Sequence, residues 1–390
     1  MMTEQEHNNV QWRKVKLGEV GEIISGGTPS TTNETFWDGD VLFVTPLDLG
    51  RKNKIDSTLR TISELGVKNS SANKIKAHSL AISTRAPIGL MSIVNQDFTT
   101  NQGCKSIQFY DSYDSEFFYY YLSYNVEKIQ RYGQGTTFME ISKTDFSNLE
   151  FTVPDLSAQR RIAAILASAD KVIAATQKTI AKYKQMKQGM MEELLKPKEG
   201  WKMVKLGEVG KISMCKRVFS FETSTEGEIP FYKIGTFGKD ADAFISRQLY
   251  EEYKSKFSYP KVGDILISAS GTIGRTVVYD GEPAYFQDSN IIWIDNDETI
   301  VLNQFLYYLY KTITWNLEGS TIARLYNDNF NKIEISVPYK NDKPDLAEQR
   351  RIASILSGID AKIATEEKVL EKYEKVKKGL MERMLEEEYL

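Results

Sequence analysis

The chain has 390 residues, of which 41% are hydrophobic and 26% are charged, a composition typical of a globular protein of two or three domains rather than a disordered one. Its 50 basic residues nearly balance its 53 acidic residues, so bulk charge alone does not indicate a nucleic-acid partner. No apolar run approaches the ~20 residues of a membrane span, and with two histidines and two cysteines neither a zinc site nor a histidine-based catalytic pair is expected.

The first ten residues are polar, so we expect no signal peptide. Cys104 and Cys215 do not occupy matching positions of the repeat described below, and neither lies in a cluster of metal-ligand type. They indicate reduced thiols in a cytoplasmic protein.

The chain reads as a tandem duplication. The heptapeptide at residues 15–21 returns unchanged at 204–210, and a tryptophan precedes each copy (Trp12 and Trp201). Residues 151–154 correspond to 335–338, while the sequence between such anchors diverges almost completely. This pattern indicates a repeated framework of shared anchor segments. The divergent sequence between the anchors of each copy is called its interior.

The two interiors, 12–153 and 201–338, are predicted to be mixed α/β. Residues 40–44 and 264–268 are apolar runs bounded by turn residues, which predicts strands. The aromatic-rich stretches 116–131 and 302–317 have the apolar spacing of short helices. The aromatic run 117–121 offers rings that could stack on bases, but its density favours core packing.

A long helix is predicted after each interior. Residues 159–195 and 349–385 contain no proline and carry apolar residues seven apart over four or five heptads, as in the series Leu166, Ile173 and Ile180. Such ladders predict two coiled-coil helices of roughly 55 Å that pair with each other, with two helices of separate domains as the alternative. Asp155 and Asp345 are placed to cap the two starts, and Glu348 has the spacing of a capping box.

Several of these segments resemble a known family. Ser-Gly-Gly-Thr-Pro-Ser at 25–30, the Ile88-Gly89 loop and the passage from Val153-Pro154 to Gln159-Arg160-Arg161-Ile162 resemble the specificity subunits of type I restriction-modification systems. The resemblance spans nearly the whole chain, twice. It implies an α+β fold, a pseudo-two-fold tandem repeat of two mixed α/β target-recognition domains joined by two long antiparallel coiled-coil helices. The implied boundaries are 1–154 and 201–344 for the domains, and 155–200 and 345–390 for the helices.

The resemblance also implies a function, that of a non-catalytic DNA-recognition subunit in phage defence. Each recognition domain would read one half of a bipartite site in double-stranded DNA, and the helices would set the spacing. Such subunits join two adenine methyltransferase subunits, and motor-nuclease subunits are added in the full complex. S-adenosylmethionine, ATP and Mg²⁺ are then expected on those partners, and no cofactor or metal in this chain.

The residues themselves indicate no active site. Ser336-Val337-Pro338-Tyr339 lacks the first proline of the motif with which adenine methyltransferases hold a flipped base. Residues 271–274 form a small-residue loop without the Gly-Lys-Ser/Thr of a P-loop. Two alternatives remain open, an adaptor that binds protein ligands through two domains on a coiled-coil stem and an enzyme whose site is not recognisable.

Candidate DNA contacts are polar loop residues, because Arg and Lys read guanine, Asn and Gln read adenine, and Ser, Thr and backbone N–H groups hold phosphates. In the first half the candidates are Ser25, Gly26, Gly27, Thr28, Arg51, Lys52, Asn53, Lys54, Arg85, Asn101, Gln102, Arg131, Gln134, Thr136 and Thr137. In the second half they are Lys216, Arg217, Lys233, Gly271, Thr272, Arg275, Gln287, Arg324 and Asn327. Each has the alternative of being a solvated surface residue or a turn former.

Two arginine pairs stand apart from these candidates. Arg160-Arg161 and Arg350-Arg351 lie at predicted helix starts, where positive charge opposes the helix macrodipole. Their retention in both repeats predicts a packing or partner-binding role, with exposed, solvated side chains as the alternative.

Overall fold

A computed structural model describes residues 12–133, 140–315 and 327–386, which form two compact units. Unit 1 combines Met1–Lys178 with Lys368–Leu390, and unit 2 is Thr179–Glu367. Each unit therefore contains one interior of the sequence repeat together with a length of both long helices.

Unit 1 contains two mixed sheets and a two-stranded ribbon. Its strands are β1 (Arg13–Lys16), β2 (Gly21–Ser25), β3 (Trp37–Val44), β4 (Lys54–Ile55), β5 (Arg60–Ile62), β6 (Ser79–Ser83), β7 (Met91–Val94), β8 (Phe98–Thr100), β9 (Cys104–Phe109) and β10 (Glu150–Val153). Its short helices are α1 (Leu17–Val20), α2 (Glu64–Lys68), α3 (Ser115–Tyr124), α4 (Val126–Tyr132) and α5 (Lys143–Ser147), with a 3-10 turn at Glu34–Phe36. The strand orders are β2-β9-β6-β7-β4, β5-β3-β8 and β1-β10.

Unit 2 repeats this plan. Its strands are β11 (Trp201–Lys205), β12 (Gly210–Ser213), β13 (Ile229–Tyr232), β14 (Phe244–Ile245), β15 (Ile265–Ser268), β16 (Thr276–Val278), β17 (Tyr285–Phe286), β18 (Ile291–Asn296), β19 (Glu334–Lys340) and β20 (Lys343–Pro344). Its short helices are α7 (Leu206–Val209), α8 (Arg247–Lys256), α9 (Asn303–Thr312) and α10 (Asn327–Asn331), with a 3-10 turn at Ser220–Glu222. The strand orders are β12-β18-β15-β16, β14-β13-β17 and β11-β19-β20.

The two long helices are α6 (Leu156–Leu194) and α11 (Leu346–Leu385). In unit 1 the first turns of α6 pack with the last turns of α11, as Ile162 lies in the same core as Leu385. In unit 2 the last turns of α6 pack with the first turns of α11, as Met191 lies in the same core as Ile352. Asp170 also pairs with Lys377 in unit 1, and Lys187 with Asp360 in unit 2. Within each unit, residue numbers therefore rise along α6 as they fall along α11, so the pair is antiparallel.

These observations confirm the predicted α+β class and the duplication. The larger sheet and the three-stranded sheet recur with equivalent pairings, since β3 is parallel to β8 and β13 is parallel to β17. The strands predicted at 40–44 and 264–268 coincide with the end of β3 and with β15. Phe117 and Phe118 are fully buried, which confirms core packing for the aromatic run.

Each long helix begins at an aspartate cap, as predicted. The Asp155 carboxylate accepts the Ala158 N–H and the Asp345 carboxylate accepts the Glu348 N–H, both at 3.0 Å. The capping box predicted at Asp345 is wrong, because the Glu348 carboxylate instead accepts two hydrogen bonds from Arg351 at 2.7 Å. The Asp345 N–H, which the box would have engaged, donates to the Pro338 carbonyl at 2.9 Å.

A buried glutamine follows each cap and joins the long helix to its domain. The Gln159 Oε1 accepts the Asp114 N–H, just before α3, and the Gln349 Oε1 accepts the Leu302 N–H, just before α9, both at 2.9 Å. Each amide also donates to a backbone carbonyl, so both buried side chains are satisfied. This role was not predicted from the sequence, although the identical Gln-Arg-Arg-Ile runs contain both residues.

Candidate nucleic-acid interface

Three loops of unit 1 lie together, and we call them the unit 1 loop surface. They are residues 25–28 after β2, residues 84–89 between β6 and β7, and residues 101–103 between β8 and β9. The Thr84 N–H donates to the Gly103 carbonyl at 2.8 Å, and the Gly27 N–H donates to the Thr100 carbonyl at 2.9 Å. This surface brings together seven predicted residues, namely Ser25, Gly26, Gly27, Thr28, Arg85, Asn101 and Gln102.

Unit 2 builds an equivalent unit 2 loop surface. It consists of residues 214–217 after β12, residues 269–274 between β15 and β16, and residues 287–290 between β17 and β18. The Ala269 N–H donates to the Asn290 carbonyl at 2.7 Å, in the place of the Thr84 hydrogen bond in unit 1. Of the predicted residues, Lys216, Arg217, Gly271, Thr272 and Gln287 belong to this surface.

The central loop of each surface is shaped by a buried serine. The hydroxyl of Ser83 or Ser268 donates to the carbonyl four residues on, at 2.7 and 2.5 Å, and accepts the N–H seven residues on, at 2.9 Å in both units. Gly89 and Gly274 close the loops with φ of 93° and 82°, a conformation that favours glycine. Between these fixed ends residues 84–87 and 269–272 differ, so equivalent loop ends carry two different sets of side chains.

Arg85 is the cation held most firmly at the unit 1 loop surface. Its Nε and one terminal nitrogen each lie 2.9 Å from the Glu140 carboxylate. Beneath them the nearly buried Lys105 donates to the Thr84 hydroxyl at 3.2 Å, and burial lowers the pKa of this lysine. Glu140 and Lys105 were not predicted from the sequence, because no local pattern connects them with Arg85.

The cations of unit 2 are also held by neighbours. Arg217 donates to the Asp288 carboxylate at 2.8 Å, and Lys216 lies 5.1 Å from the ring of Phe257. Lys233 pairs with Asp242 at 2.8 Å, and one Arg275 nitrogen donates to the Phe237 carbonyl at 2.9 Å. Gln287 uses its Oε1 to accept the Ile234 N–H at 3.0 Å, which leaves its amide NH₂ as the group for a ligand.

Other predicted residues of unit 1 lie elsewhere. Asn53 accepts the Tyr119 hydroxyl at 2.8 Å and also bonds Asp170 of α6, while Lys54 pairs with Glu116 of α3. Both side chains therefore hold the domain against its helices. The neighbouring Arg51 and Lys52 are exposed, and so is Arg131 of α4, which lies 3.7 Å from Glu127.

The remaining predicted contacts fall on parts of the chain that are not described. Gln134, Thr136, Thr137 and Arg324 lie outside the described residues. Asn327 begins α10.

The arginines at the helix starts are exposed at all four positions, Arg160, Arg161, Arg350 and Arg351. Arg351 forms a bidentate pair with Glu348, and this hydrogen-bonded pair lowers the pKa of the Glu348 carboxyl. The charge of Arg351 is therefore balanced by its own helix. Of the four arginines, the other three are the better candidates for binding a partner.

The described residues contain no group of three or more His, Cys, Asp and Glu side chains arranged to hold a metal ion. Within the same residues, no helix is both long and apolar enough to cross a membrane.

Comparisons with known proteins give one consistent result. A family model described as the type I restriction modification DNA specificity domain matches residues 9–185 and, a second time, residues 198–375. A proposed type I restriction enzyme specificity subunit of Haemophilus influenzae is 48% identical over 256 residues, which are 62% of this chain and 63% of that relative. The match thus spans less than two thirds of that relative's length.

A more distant relative and a solved structure match over nearly the full length. A type I restriction enzyme specificity subunit of Methanocaldococcus jannaschii is 25% identical over 96% of this chain and 92% of its own. The crystal structure of a type I restriction-modification system S subunit from M. genitalium covers 97% of both chains, with a TM-score of 0.64 at 18% identity. At that identity the structural likeness shows a shared fold.

Proposed function

Because the chain belongs to the family of type I restriction-modification DNA specificity proteins, we propose that each of its two repeats reads one half of a bipartite site in double-stranded DNA. A specificity subunit is the recognition component of its system and not an enzyme. The observation that carries the proposal is the pair of loop surfaces, which share a backbone frame and differ in their side chains. Reading two different half-sites on one duplex requires that combination.

The loop surfaces offer groups suited to both parts of DNA recognition. Arg85 is held by Glu140 through one edge of its guanidinium, which orients the remaining N–H groups for a guanine edge. Gln287 can present its amide to adenine. A Cβ at Gly271 would meet only the Ile234 side chain, at 3.8 Å, so the open backbone there can accept a phosphate. The sequence predicted these DNA contacts from residue type alone. Their common position on the loop surfaces now supports the same roles.

The proposed partners are two methyltransferase subunits, with motor-nuclease subunits in the full complex. S-adenosylmethionine, ATP and Mg²⁺ would be bound by those subunits. Two copies of one partner need two equivalent docking surfaces. The loop surfaces differ between the units, so residues that are equivalent in the two repeats are the better candidates.

A cleft of matching position in each unit supplies such a surface. It lies between the aromatic helix (α3 or α9), a sheet strand (β7 or β16) and the N-terminal half of the long helix, with volumes of about 340 Å³ in unit 1 and about 440 Å³ in unit 2. Ala167 and Ser357, which are equivalent in the repeat, line the two clefts. Tyrosine walls and polar rims are typical of protein interfaces. We therefore propose that one partner copy docks at each cleft. The exposed Arg350 lines the unit 2 cleft and would contribute to docking there.

DNA reading is tested by mapping N6-methyladenine in DNA exposed to the complex of this chain with its methyltransferase subunit. Paired marks in one split motif are expected. Arg85→Ala should weaken binding of the intact site by roughly 10- to 100-fold, the usual value of a bidentate base contact, and relax one position of the first half-site only. Lys76→Ala, which removes an exposed cation outside the loop surface, is the control. A complex that shifts no DNA would favour the protein-binding adaptor instead.

Docking is tested by sedimentation of the same complex without DNA. Ala167→Arg and Ser357→Arg fill one cleft each, and each should leave a single methyltransferase copy on the chain. Ala164→Arg and Ser354→Arg add the same bulk at exposed positions outside the clefts and should leave two copies. Two copies on both cleft variants would show that the partner docks elsewhere.

A further inference from the structure

In unit 1 a tyrosine, an aspartate and a lysine from three different helices meet, and we call this group junction 1. The Tyr120 hydroxyl of α3 donates to Asp170 of α6 at 2.6 Å. The ammonium group of Lys377, on α11, lies 2.5 Å from the other oxygen of Asp170 and 5.5 Å from the tyrosine ring.

Unit 2 contains the same group with the long helices exchanged, which we call junction 2. The Tyr308 hydroxyl of α9 donates to Asp360 of α11 at 2.8 Å. Lys187 of α6 lies 2.6 Å from the other oxygen of Asp360 and 5.7 Å from the tyrosine ring. In both junctions the recognition domain, its own long helix and the opposite long helix are connected through one carboxylate.

The junctions follow the duplication. Asp170 and Asp360 are equivalent in the repeat, as are Lys187 and Lys377, because each pair has the spacing that separates Gln159 from Gln349. A further ion pair between the helices, Lys184 with Glu367 at 2.8 Å, is not repeated, since the equivalent positions hold Glu374 and Gln177. Repetition therefore distinguishes the junctions from an ordinary surface ion pair.

The order of charges selects one arrangement of the helices. Each helix carries its aspartate nearer the start and its lysine farther on, so only antiparallel pairing in this register places both lysines against aspartates. Parallel pairing of equivalent residues would oppose Asp170 to Asp360. A slip of one heptad would move the partners about 10.5 Å apart.

The apolar ladders alone do not specify one register of α6 against α11, because they repeat every seven residues. The charged side chains of junction 1 are 21% and 23% exposed, so a mispaired register would leave poorly solvated charges. Burial and the bonded carboxylate raise the pKa of both tyrosines, which keeps their hydroxyls protonated as donors.

We propose that the two junctions fix the register of α6 against α11 and the seating of each recognition domain on this helix pair, and thereby set the gap between the half-sites in DNA. This inference rests on the proposed function. Asp170 and Asp360 are positioning residues in it, since they act through the tyrosines and lysines. Asp170 and Tyr120 also line the unit 1 cleft and Tyr308 lines the unit 2 cleft, so partner binding is measured for every variant.

The test uses the full chain in complex with its methyltransferase subunit. Methylation is measured on a library of DNA sites in which both half-sites are constant and the gap varies by single base pairs. Unaltered protein should methylate one gap. Asp170→Asn combined with Asp360→Asn should methylate neighbouring gaps within about tenfold of the original, with the half-site sequences unchanged.

The matched control is Lys184→Ala with Glu367→Ala, which removes the unrepeated ion pair and should keep the single gap. Charge-conserving Asp170→Glu with Asp360→Glu should restore the single gap in part, a result that lost stability alone would not give. Tyr120→Phe with Tyr308→Phe removes only the hydroxyls. It replaces the asparagine variant in the same assay if that variant does not fold.

A folded asparagine variant that keeps the single gap would overturn the inference, and so would loss of methylation at every gap while the partners stay bound. Either result leaves the proposed function standing. Absence of paired methylation with unaltered protein would instead overturn the proposed function.

Discussion

At the scale of single residues, the glutamines that follow the two helix caps matter more for folding than their polarity suggests. Gln349 is fully buried and satisfies a backbone N–H at 2.9 Å and a backbone carbonyl at 3.0 Å. Gln349→Ala should lower the free energy of unfolding by about 1–3 kcal/mol, because both backbone groups lose their partner in a buried site. Urea unfolding measures this change.

The exposed neighbour provides the control for this prediction. Arg350→Ala should change the free energy of unfolding by less than about 0.5 kcal/mol, as surface substitutions usually do. Equal urea midpoints for the two variants would contradict the role assigned to Gln349.

The cysteines provide a second prediction at this scale. Cys104 and Cys215 are buried, and burial raises the pKa of each thiol to about 12. Because the thiolate is the reactive form, iodoacetamide at pH 8.5 should label neither cysteine in the folded protein and both in urea. Ala164→Cys, on the exposed face of α6, should add one rapidly labelled site. Rapid labelling of the unaltered folded protein would show that the thiols are accessible.

At the scale of elements, the antiparallel helix pair is the part of the molecule suited to act as a spacer. Tyr183 of α6 lies beside Lys362 of α11, with the ammonium group 5.9 Å from the ring. Seven residues inserted after Tyr183 and seven after Ala364 would lengthen both helices at facing positions and preserve the heptad phase. The added length is about 10.5 Å, so the gap between half-sites should grow by about three base pairs.

Methylation mapping of the lengthened protein reads the gap and the half-sites together. The half-site sequences should stay the same, because no loop surface is altered. New half-site bases with an unchanged gap would count against the spacer role. Inserting the seven residues in α6 alone is the control, since it leaves α11 without a matching turn and should lower activity at every gap.

At the scale of the whole molecule, the duplication predicts that half of the chain can pair with itself. A fragment of residues 1–196 exposes the apolar ladder of α6. In a two-fold dimer, Asp170 of one copy would meet Lys187 of the other, which reproduces both junctions. Two polar residues lie on the ladders of α6. Lys187 would pair with Asp170 in the dimer, and Thr176 donates its hydroxyl to the Val172 carbonyl at 3.0 Å, so neither is expected to oppose pairing.

The fragment should therefore sediment as a dimer and, with methyltransferase subunits, methylate an inverted repeat of the first half-site, because the symmetry of a protein is imposed on its site. Lys187→Asp would oppose two aspartates at each junction and should favour the monomer. A well-folded monomer of the unaltered fragment, alone and with its partner, would contradict the antiparallel design.

The duplication, the two long helices, their aspartate caps and the family could be predicted from the amino-acid sequence. Heptads, caps and repeated segments are patterns that local geometry turns directly into structure. The candidates predicted from the sequence also included twelve residues of the two loop surfaces, but no sequence pattern indicated that they lie together.

Contacts between side chains that are far apart in sequence could be identified only from the folded structure. Arg85 pairs with Glu140, 55 residues away, so this predicted DNA-binding arginine is oriented by an acidic neighbour. Asn53 bonds Asp170 across 117 residues, so its side chain holds a helix instead of lying at the loop surface. The Glu348 carboxylate accepts hydrogen bonds from Arg351, three residues away, instead of from the backbone N–H at the helix start. Which of several possible partners a polar side chain takes depends on packing, because burial leaves only the partner within reach.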